Sequence, residues 1–250
     1  MMKKVVLFLA IVSFSSVAGI TDITTKPVAL IALKKNSAQY VDVCKAVDDS
    51  CKEGTSIWKE KNADGIFYLT TSHLQLTKLK KNGDAYSKIV SWDFTKETKN
   101  EYIPDDELTK NDVYIYPALY PLSKVKMAVA LISKWSTNYS GGGREEEYAN
   151  FMMINDDGTY QPAFENILFS SKEMIKACFT EEDFAKQSHC HDESWSILNL
   201  KITDESKDYY SWKFITKSYS WPAFTDKAST KVSITESVAY PFQSQPQHNK

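Results

Sequence analysis

The chain has 250 residues, with 30 basic and 32 acidic side chains and a formal net charge of −2. This mild negative charge argues against nucleic acid as the main partner, because phosphate backbones are bound by clustered basic surfaces. Apolar residues make up 42% of the chain, which is enough for a packed core, so disorder is not expected. The length fits one large β domain or two small ones.

The first residues predict export from the cytoplasm. Met1 to Lys4 is a short positive start, Val5 to Phe14 is almost entirely apolar, and Ser16-Val17-Ala18 supplies the small residues that a signal peptidase recognises. The apolar run is shorter than the roughly 20 residues that a bilayer span needs. We therefore expect residues 1–18 to be a signal peptide, and residues 19–250 to be periplasmic or secreted, with no membrane span after its removal.

The four cysteines fit an oxidising compartment. Cys44 and Cys51 form one cluster, and Cys178 and Cys190 form another. Two short loops close with the least loss of entropy, so the favoured disulfides are Cys44–Cys51 and Cys178–Cys190 among three pairings. Four thiolates holding zinc are the weaker alternative, because neither pair has the usual close spacing.

Period-two alternation from residue 28 onward predicts a mainly β fold, an antiparallel β-sandwich or a meander, with α+β as the alternative. The hairpin signals are Asn82-Gly83 and Asp157-Gly158, since both allow a positive φ. The polar stretch 97–112 is the best candidate for a boundary within a single domain of residues 19–250. The clearest predicted strands are Val125–Leu131, Leu198–Ile202, Tyr210–Phe214 and Val232–Tyr240.

Two or three short helices are predicted beside the cysteines. Residues 38–47 are one candidate. Ser170 and Glu173 form a capping box that predicts helical turns over residues 170–178, and a second cap at Thr180 predicts a turn ending at Gln187.

The glycine run Gly141-Gly142-Gly143 precedes Arg144, the only arginine beside 29 lysines. An arginine kept in so lysine-rich a chain suggests a need for its planar fork, and glycines allow a ligand to approach the backbone. We predict a binding site here, with Tyr139 and Glu147. The alternative is a wide hairpin tip between strands 125–137 and 146–154, where Arg144 pairs with Glu145, Glu146 or Glu147. No phosphate-loop or dinucleotide motif follows the glycines.

Two further groups are candidates for binding. His189 and His191 lie at i and i+2 and are weak metal ligands, because a disulfide at Cys190 leaves too few partners. A polar loop around that disulfide is the plainer interpretation, and no cofactor is predicted. Trp221 and Phe224, in a proline-containing aromatic segment, fit protein recognition or sugar stacking. The alternative is that they cover the end of a β core.

No sequence motif specifies a chemistry, and the G-x-S-x-G elbow of esterases is missing. The leading hypothesis is an exported, non-enzymatic binding protein, such as an inhibitor or immunity-type protein that neutralises another protein of the envelope or secreted space. The first alternative is a secreted hydrolase of cell-wall or polysaccharide material that uses paired carboxylates. The second is a metal-handling protein that uses His189 and His191.

Overall fold

The structure is a computed structural model that describes residues 23–47, 51, 54–61, 63–99, 103–105, 107–186 and 189–243. The predicted signal peptide lies outside these residues. Within them, no helix is both long and apolar enough to cross a membrane.

Strands dominate the described chain. The strands are β1 Ile23–Thr25, β2 Val28–Ala32, β3 Ser56–Glu60, β4 Ile66–Thr70, β5 Gln75–Asn82, β6 Ala85–Asp93, β7 Thr109–Pro121, β8 Met127–Tyr139, β9 Gly142–Ile154, β10 Tyr160–Lys176, β11 His191–Asp204, β12 Ser211–Trp221 and β13 Lys231–Ala239. The helices are α1 Ala38–Ala46 and α2 Glu181–Lys186, with 3₁₀ segments at Thr95–Lys99 and Lys227–Ser229.

All the strand pairings are antiparallel, and they form two meanders joined at β2. Strands β2 to β6 follow one another in the first meander, and β7 to β13 follow one another in the second. Residues 30–32 of β2 pair with β3, whereas residues 28 and 29 pair with β7. β1 pairs with the end of β11. The predicted mainly β, antiparallel fold is therefore confirmed.

Residues 128–132 of β8 are all buried, and the alternation of their side chains explains how two packed layers share this strand. The small side chains Ala128 and Ala130 contribute to a core whose large members come from β7, β9, β10 and β12. Val129 and Leu131 point the other way, into a second core that includes Trp92 of the first meander. Val129 and Leu131 thus connect the second meander to the first. On the opposite side of β8, Ala128 and Ala130 leave room for the aromatic rings of the other core.

Trp212 lies at the centre of the aromatic core and has no exposed surface. Its ring centroid is 4.7 Å from that of Phe164 and 5.0 Å from that of Phe151. Its indole N–H donates a hydrogen bond of 3.2 Å to the carbonyl of Pro121. Burial of these rings supplies much of the hydrophobic stabilisation of the second meander.

The first predicted disulfide, Cys44–Cys51, is present. It joins the end of α1 to the chain that enters β3, and Val43 of this helix is fully buried against the first meander. Ser37 caps the helix by accepting a hydrogen bond from the backbone N–H of Tyr40. The predicted helix over residues 38–47 is therefore confirmed.

The second disulfide, Cys178–Cys190, is also present, and it brackets α2. The helix predicted to begin at Thr180 is confirmed, but the helical turns predicted over residues 170–178 are wrong, because β10 continues to Lys176.

The capping residues of that failed helix contact neighbouring strands instead. The Ser170 hydroxyl donates to Glu147 at 2.9 Å, and Ser171 hydrogen-bonds the Ser196 hydroxyl. Glu173 accepts a hydrogen bond from Tyr139.

Both predicted hairpin turns are confirmed. Gly83 follows β5 with φ +62°, and Gly158 lies in the turn between β9 and β10 with φ +85°. Asp157 accepts hydrogen bonds from the backbone and hydroxyl of Thr159, which closes the second turn.

Candidate functional site

The glycine run forms a hairpin tip at which Arg144 pairs with Glu146, as in our alternative interpretation, but the tip is tight and not wide. β8 ends at Tyr139 and β9 begins at Gly142, so only Ser140 and Gly141 form the turn. Gly141 has φ +89°, which favours glycine. A Cβ on Gly142 would lie 2.0 Å from the backbone oxygen of Met174. The absence of a side chain at Gly142 therefore lets β9 and β10 approach each other.

The Arg144 fork is held by carboxylates of its own chain. Its Nε donates to Glu146 Oε1 at 2.9 Å, and its Nη1 donates to Asp105 Oδ2 at 3.1 Å. Glu146 is only 6% exposed, and its second oxygen accepts a hydrogen bond of 2.6 Å from the Tyr148 hydroxyl. These contacts account for a guanidinium at this position, because a lysine could not bridge two carboxylates in the same planar geometry.

The other residues predicted around the hairpin also have partners within the chain. The Tyr139 hydroxyl donates to Glu173 at 3.2 Å. Glu147 accepts hydrogen bonds from Tyr114 and Ser170, and the ammonium of Lys134 lies 3.6 Å away. Ligand binding by Tyr139, Arg144 and Glu147 stays a prediction.

Trp221 and Phe224 assemble with His189 at the end of β12. The rings of His189 and Trp221 stack with centroids 3.4 Å apart and planes within 4° of each other. The Phe224 N–H donates to the carbonyl of His189 at 3.0 Å. No group of three histidine, cysteine or acidic residues in the described part of the chain could hold a metal ion.

The hairpin and the aromatic segment lie at the same end of the second meander. Gly143 of β9 pairs with Met174 of β10, which pairs with Glu193 of β11, which pairs with Trp221 of β12. Three strand spacings separate Gly143 from Trp221, roughly 14 Å.

The sequence did not reveal an exposed surface with several apolar side chains on strands β11 to β13. In antiparallel sheets, directly paired residues lie on the same face, as do alternate residues of one strand. The registers of β11, β12 and β13 therefore define one surface of four rows and three strands. We call it the outer face, and it consists of Trp195, Tyr219 and Val232; Ile197, Lys217 and Ile234; Asn199, Ile215 and Glu236; and Lys201, Lys213 and Val238.

Several aliphatic side chains of the outer face are largely open to solvent. Ile197, Val232, Ile234 and Val238 are between 50% and 58% exposed. The opposite face of the same strands contributes Ile202, Trp212, Phe214 and Ala239 to the aromatic core. One side of this three-stranded region therefore packs into the core, whereas the other presents several exposed aliphatic side chains interspersed with charged ones.

The outer face is positively charged although the chain as a whole is slightly negative. Its charged members are Lys201, Lys213, Lys217 and Glu236. Glu236 forms an ion pair with Lys213. Lys201 and Lys217 therefore supply the net positive charge, at positions beside the exposed aliphatic side chains.

The aromatic rings of the outer face pack against each other. Trp195 and Tyr219 are direct cross-strand neighbours, with ring centroids 5.0 Å apart and planes within 5°. Each ring thus covers one face of the other. Their pairing stiffens the surface and adds to the stability of the β11–β12 pair.

The chain matches no protein-family model, no curated protein and no solved structure.

Proposed function

We propose that the chain is an exported, non-enzymatic binding protein of the periplasm or secreted space, and that it binds an acidic surface of another protein through the outer face. The observation that carries this proposal is the group of exposed aliphatic side chains on one face of strands β11 to β13, with lysines among its members. Large exposed apolar patches are typical of protein interaction sites. Blocking an active cleft, as an inhibitor or immunity-type protein does, is one use of such a surface.

A rigid scaffold supports this role. Two disulfides fasten the chain on either side of β3 to β10. The outer face itself lies on regular strands, and the pairings of β11 with β12 and of β12 with β13 run without a register shift. A binding surface that is ordered before association loses less conformational entropy on binding.

Ring geometry favours a protein over a glycan at this surface. Sugar rings stack on open aromatic faces, but Trp195 and Tyr219 each cover one face of the other. His189 likewise covers one face of Trp221. Aliphatic side chains such as Ile197 and Ile234 fit an apolar protein surface better than a hydroxyl-rich sugar.

The hydrolase alternative needs a carboxyl group whose pKa is raised, so that it can donate a proton near neutral pH. In three carboxyl groups of the described residues the pKa is shifted the other way. A hydrogen bond from Thr95 lowers the pKa of Asp93, and a hydrogen bond from Thr159 lowers the pKa of Asp157. Hydrogen bonds, first from Ser211, lower the pKa of Glu205 to about 2.

The test is a quantitative pull-down from envelope and secreted fractions with immobilised chain 19–250. Ile197→Ser combined with Ile234→Ser removes apolar surface from the outer face, and Ile89→Ser does so at the opposite edge of the sheet, where Ile89 is 47% exposed. Arg144→Ala tests the hairpin separately. Each variant is first shown to be folded under the conditions of the pull-down, because Arg144→Ala leaves the buried Glu146 without its ion-pair partner and should lower stability.

We expect one stoichiometric partner whose affinity falls about 10- to 100-fold with the double variant, as expected when two contact side chains are truncated. Ile89→Ser should bind like wild type, and Lys217→Glu should weaken binding most at low salt. The absence of a stoichiometric partner would overturn the binding proposal. A partner lost with Arg144→Ala but retained by the double variant would move the site to the hairpin.

A further inference from the structure

β13 is an open edge of the sheet. Its nine residues pair with β12 over their full length without a register shift, and no described strand pairs with their other side. Residues 231–236 are all exposed. After β13 the chain turns away, because the Phe242 N–H donates to the carbonyl of Ala163 at 3.0 Å. The backbone groups along this edge are therefore a template for another strand.

The opposite edge, β6, differs from β13 in ways that disfavour strand addition. Its pairing with β5 contains a register shift near Lys78 and Leu79. Val90 and Trp92 are buried, and the Trp92 indole donates to the carbonyl of Asn155 at 2.8 Å. Irregular pairing and contact with another layer are common means of protecting an edge. β13 pairs regularly with β12, and of its residues Ala239 alone is a member of the aromatic core.

The sequence of β13 is complementary to itself. Residues 232–238 read Val-Ser-Ile-Thr-Glu-Ser-Val, which is the same in both directions except at Ile234 and Glu236. An antiparallel pair of two such strands, centred on Thr235, would place like residues opposite each other. Its pairs are Val232 with Val238, Ser233 with Ser237, Thr235 with Thr235, and Ile234 with Glu236.

Each pair in this register is favourable or neutral. Valine meets valine, and hydroxyl side chains meet hydroxyl side chains, as in stable cross-strand pairs. The lysine that begins β13, Lys231, lies opposite Ala239, so no like charges meet. Glu236 lies opposite Ile234 of the second copy, whose neighbour on β12 is Lys217. The Glu236 carboxylate already pairs with Lys213 of its own copy and would lie two strands from Lys217 of the other, so the Ile234–Glu236 pair is neutral.

We propose that a second copy of this chain adds to β13, antiparallel and centred on Thr235, so that one sheet continues through a two-fold symmetric dimer. The interface is isologous, because each copy contributes the same strand. This inference is independent of the binding proposal, since it uses the edge of β13 and leaves the outer faces of both copies open.

Disulfide trapping tests the register directly. Paired residues of antiparallel strands have Cα atoms roughly 4.5–5.5 Å apart, a distance that a disulfide spans. Thr235→Cys should form covalent dimers under mild oxidation. Ser233→Cys and Ser237→Cys should each stay monomeric alone but cross-link to each other when mixed. Ser87→Cys, on the exposed part of β6, is the control for random collision.

Covalent dimers of Ser233→Cys alone at the rate of the mixture would overturn the register. Cross-linking of Thr235→Cys no faster than that of Ser87→Cys would overturn the β13 dimer. If the register holds, the mixture should cross-link at least about 10-fold faster than either single variant, because strand pairing raises the effective thiol concentration.

A charge pair provides the second measurement, by light scattering over a concentration series. Two double variants are compared, because position 232 of one copy faces position 238 of the other. Val232→Glu combined with Val238→Glu places glutamate opposite glutamate at both pairs. Val232→Lys combined with Val238→Glu places lysine opposite glutamate at both pairs. We expect the Kd of the first variant to exceed that of the second by about 100-fold. Equal Kd values, or a wild-type chain that stays monomeric at about 100 μM, would overturn the dimer.

Discussion

Gly142 offers a clear test of whether the glycine run serves the fold or a ligand. We predict that Gly142→Ala destabilises the protein, because a Cβ there would lie 2.0 Å from the Met174 carbonyl oxygen. If instead the glycine were there to admit a ligand, the variant would fold normally and lose only binding. The two interpretations therefore differ in the free energy of unfolding, which can be measured without knowing a partner.

The size of the effect follows from the contact. Cβ atoms essentially never approach a neighbour within 3.0 Å, so β9 and β10 would have to separate by about 1 Å. The separation would weaken the pairs Gly142–Ile175 and Gly143–Met174 and the hydrogen bond from the Lys176 N–H to Gly141. At about 1 kcal/mol for each backbone hydrogen bond, we expect a loss of about 2–3 kcal/mol.

The assay is urea unfolding of residues 19–250, followed by tryptophan fluorescence, with the slope of the transition checked for constancy. Gly83→Ala is the matched control. Gly83 has φ +62°, but a Cβ at this position would meet no atom within 4 Å, so backbone strain alone should cost about 1 kcal/mol. If Gly142→Ala unfolds within about 0.5 kcal/mol of wild type, the close-approach argument is refuted.

Three further predictions concern the core, a carboxylate and a disulfide. Trp212→Phe should lower the free energy of unfolding by about 2–3 kcal/mol, because it leaves a small cavity and an unsatisfied buried carbonyl; a loss under 1 kcal/mol in urea would contradict this. The lowered pKa of Glu205, about 2 against 4.5, stabilises the fold above about pH 4.5, and this contribution is lost as the pH falls toward 2. Between these values the unfolding midpoint of Glu205→Gln should therefore change less with pH than that of wild type, while the exposed control Glu165→Gln should follow wild type. Replacing Cys44 and Cys51 by serine should cost about 2–3 kcal/mol, and an unchanged melting temperature would contradict the chain-entropy estimate.

Local patterns predicted the elements whose turns and alternation agree with the final sheet. Asn82-Gly83 and Asp157-Gly158 both mark hairpins, since glycine at positive φ is required there regardless of the rest of the fold. The short sequence separations within each cysteine pair likewise favoured the two observed disulfides. These signals depend on neighbouring residues alone and needed no knowledge of distant strands.

The failed helix shows where local signals lose to tertiary contacts. Ser170 and Glu173 form a good capping box, but their side chains bind Glu147 and Tyr139 on β9 and β8. The backbone of this segment is paired on both sides, with β9 and with β11. Sheet pairing on two sides outweighs an isolated turn of helix, which is marginal in water.

In the candidate sites, too, the sequence showed individual residues but not their contacts with distant parts of the chain. The sequence singled out Arg144 because it is the only arginine, and it offered Glu146 as one of three possible partners. It could not indicate the second carboxylate, because Asp105 is 39 residues away. It also could not show the outer face, because Ile197, Lys217 and Ile234 become neighbours only through the registers of three strands. The alternation within each strand was visible, but not which face would remain open.

Periodicity and short separations along the chain were enough to predict the antiparallel β class, the two hairpin turns and the favoured disulfide pairs. Three other features came from the folded arrangement: β10 is a strand, Gly142 faces a neighbouring backbone, and the aliphatic side chains of the outer face are exposed. Those features depend on contacts between residues far apart in sequence, and a register shift of one residue would turn every side chain of a strand to the other face.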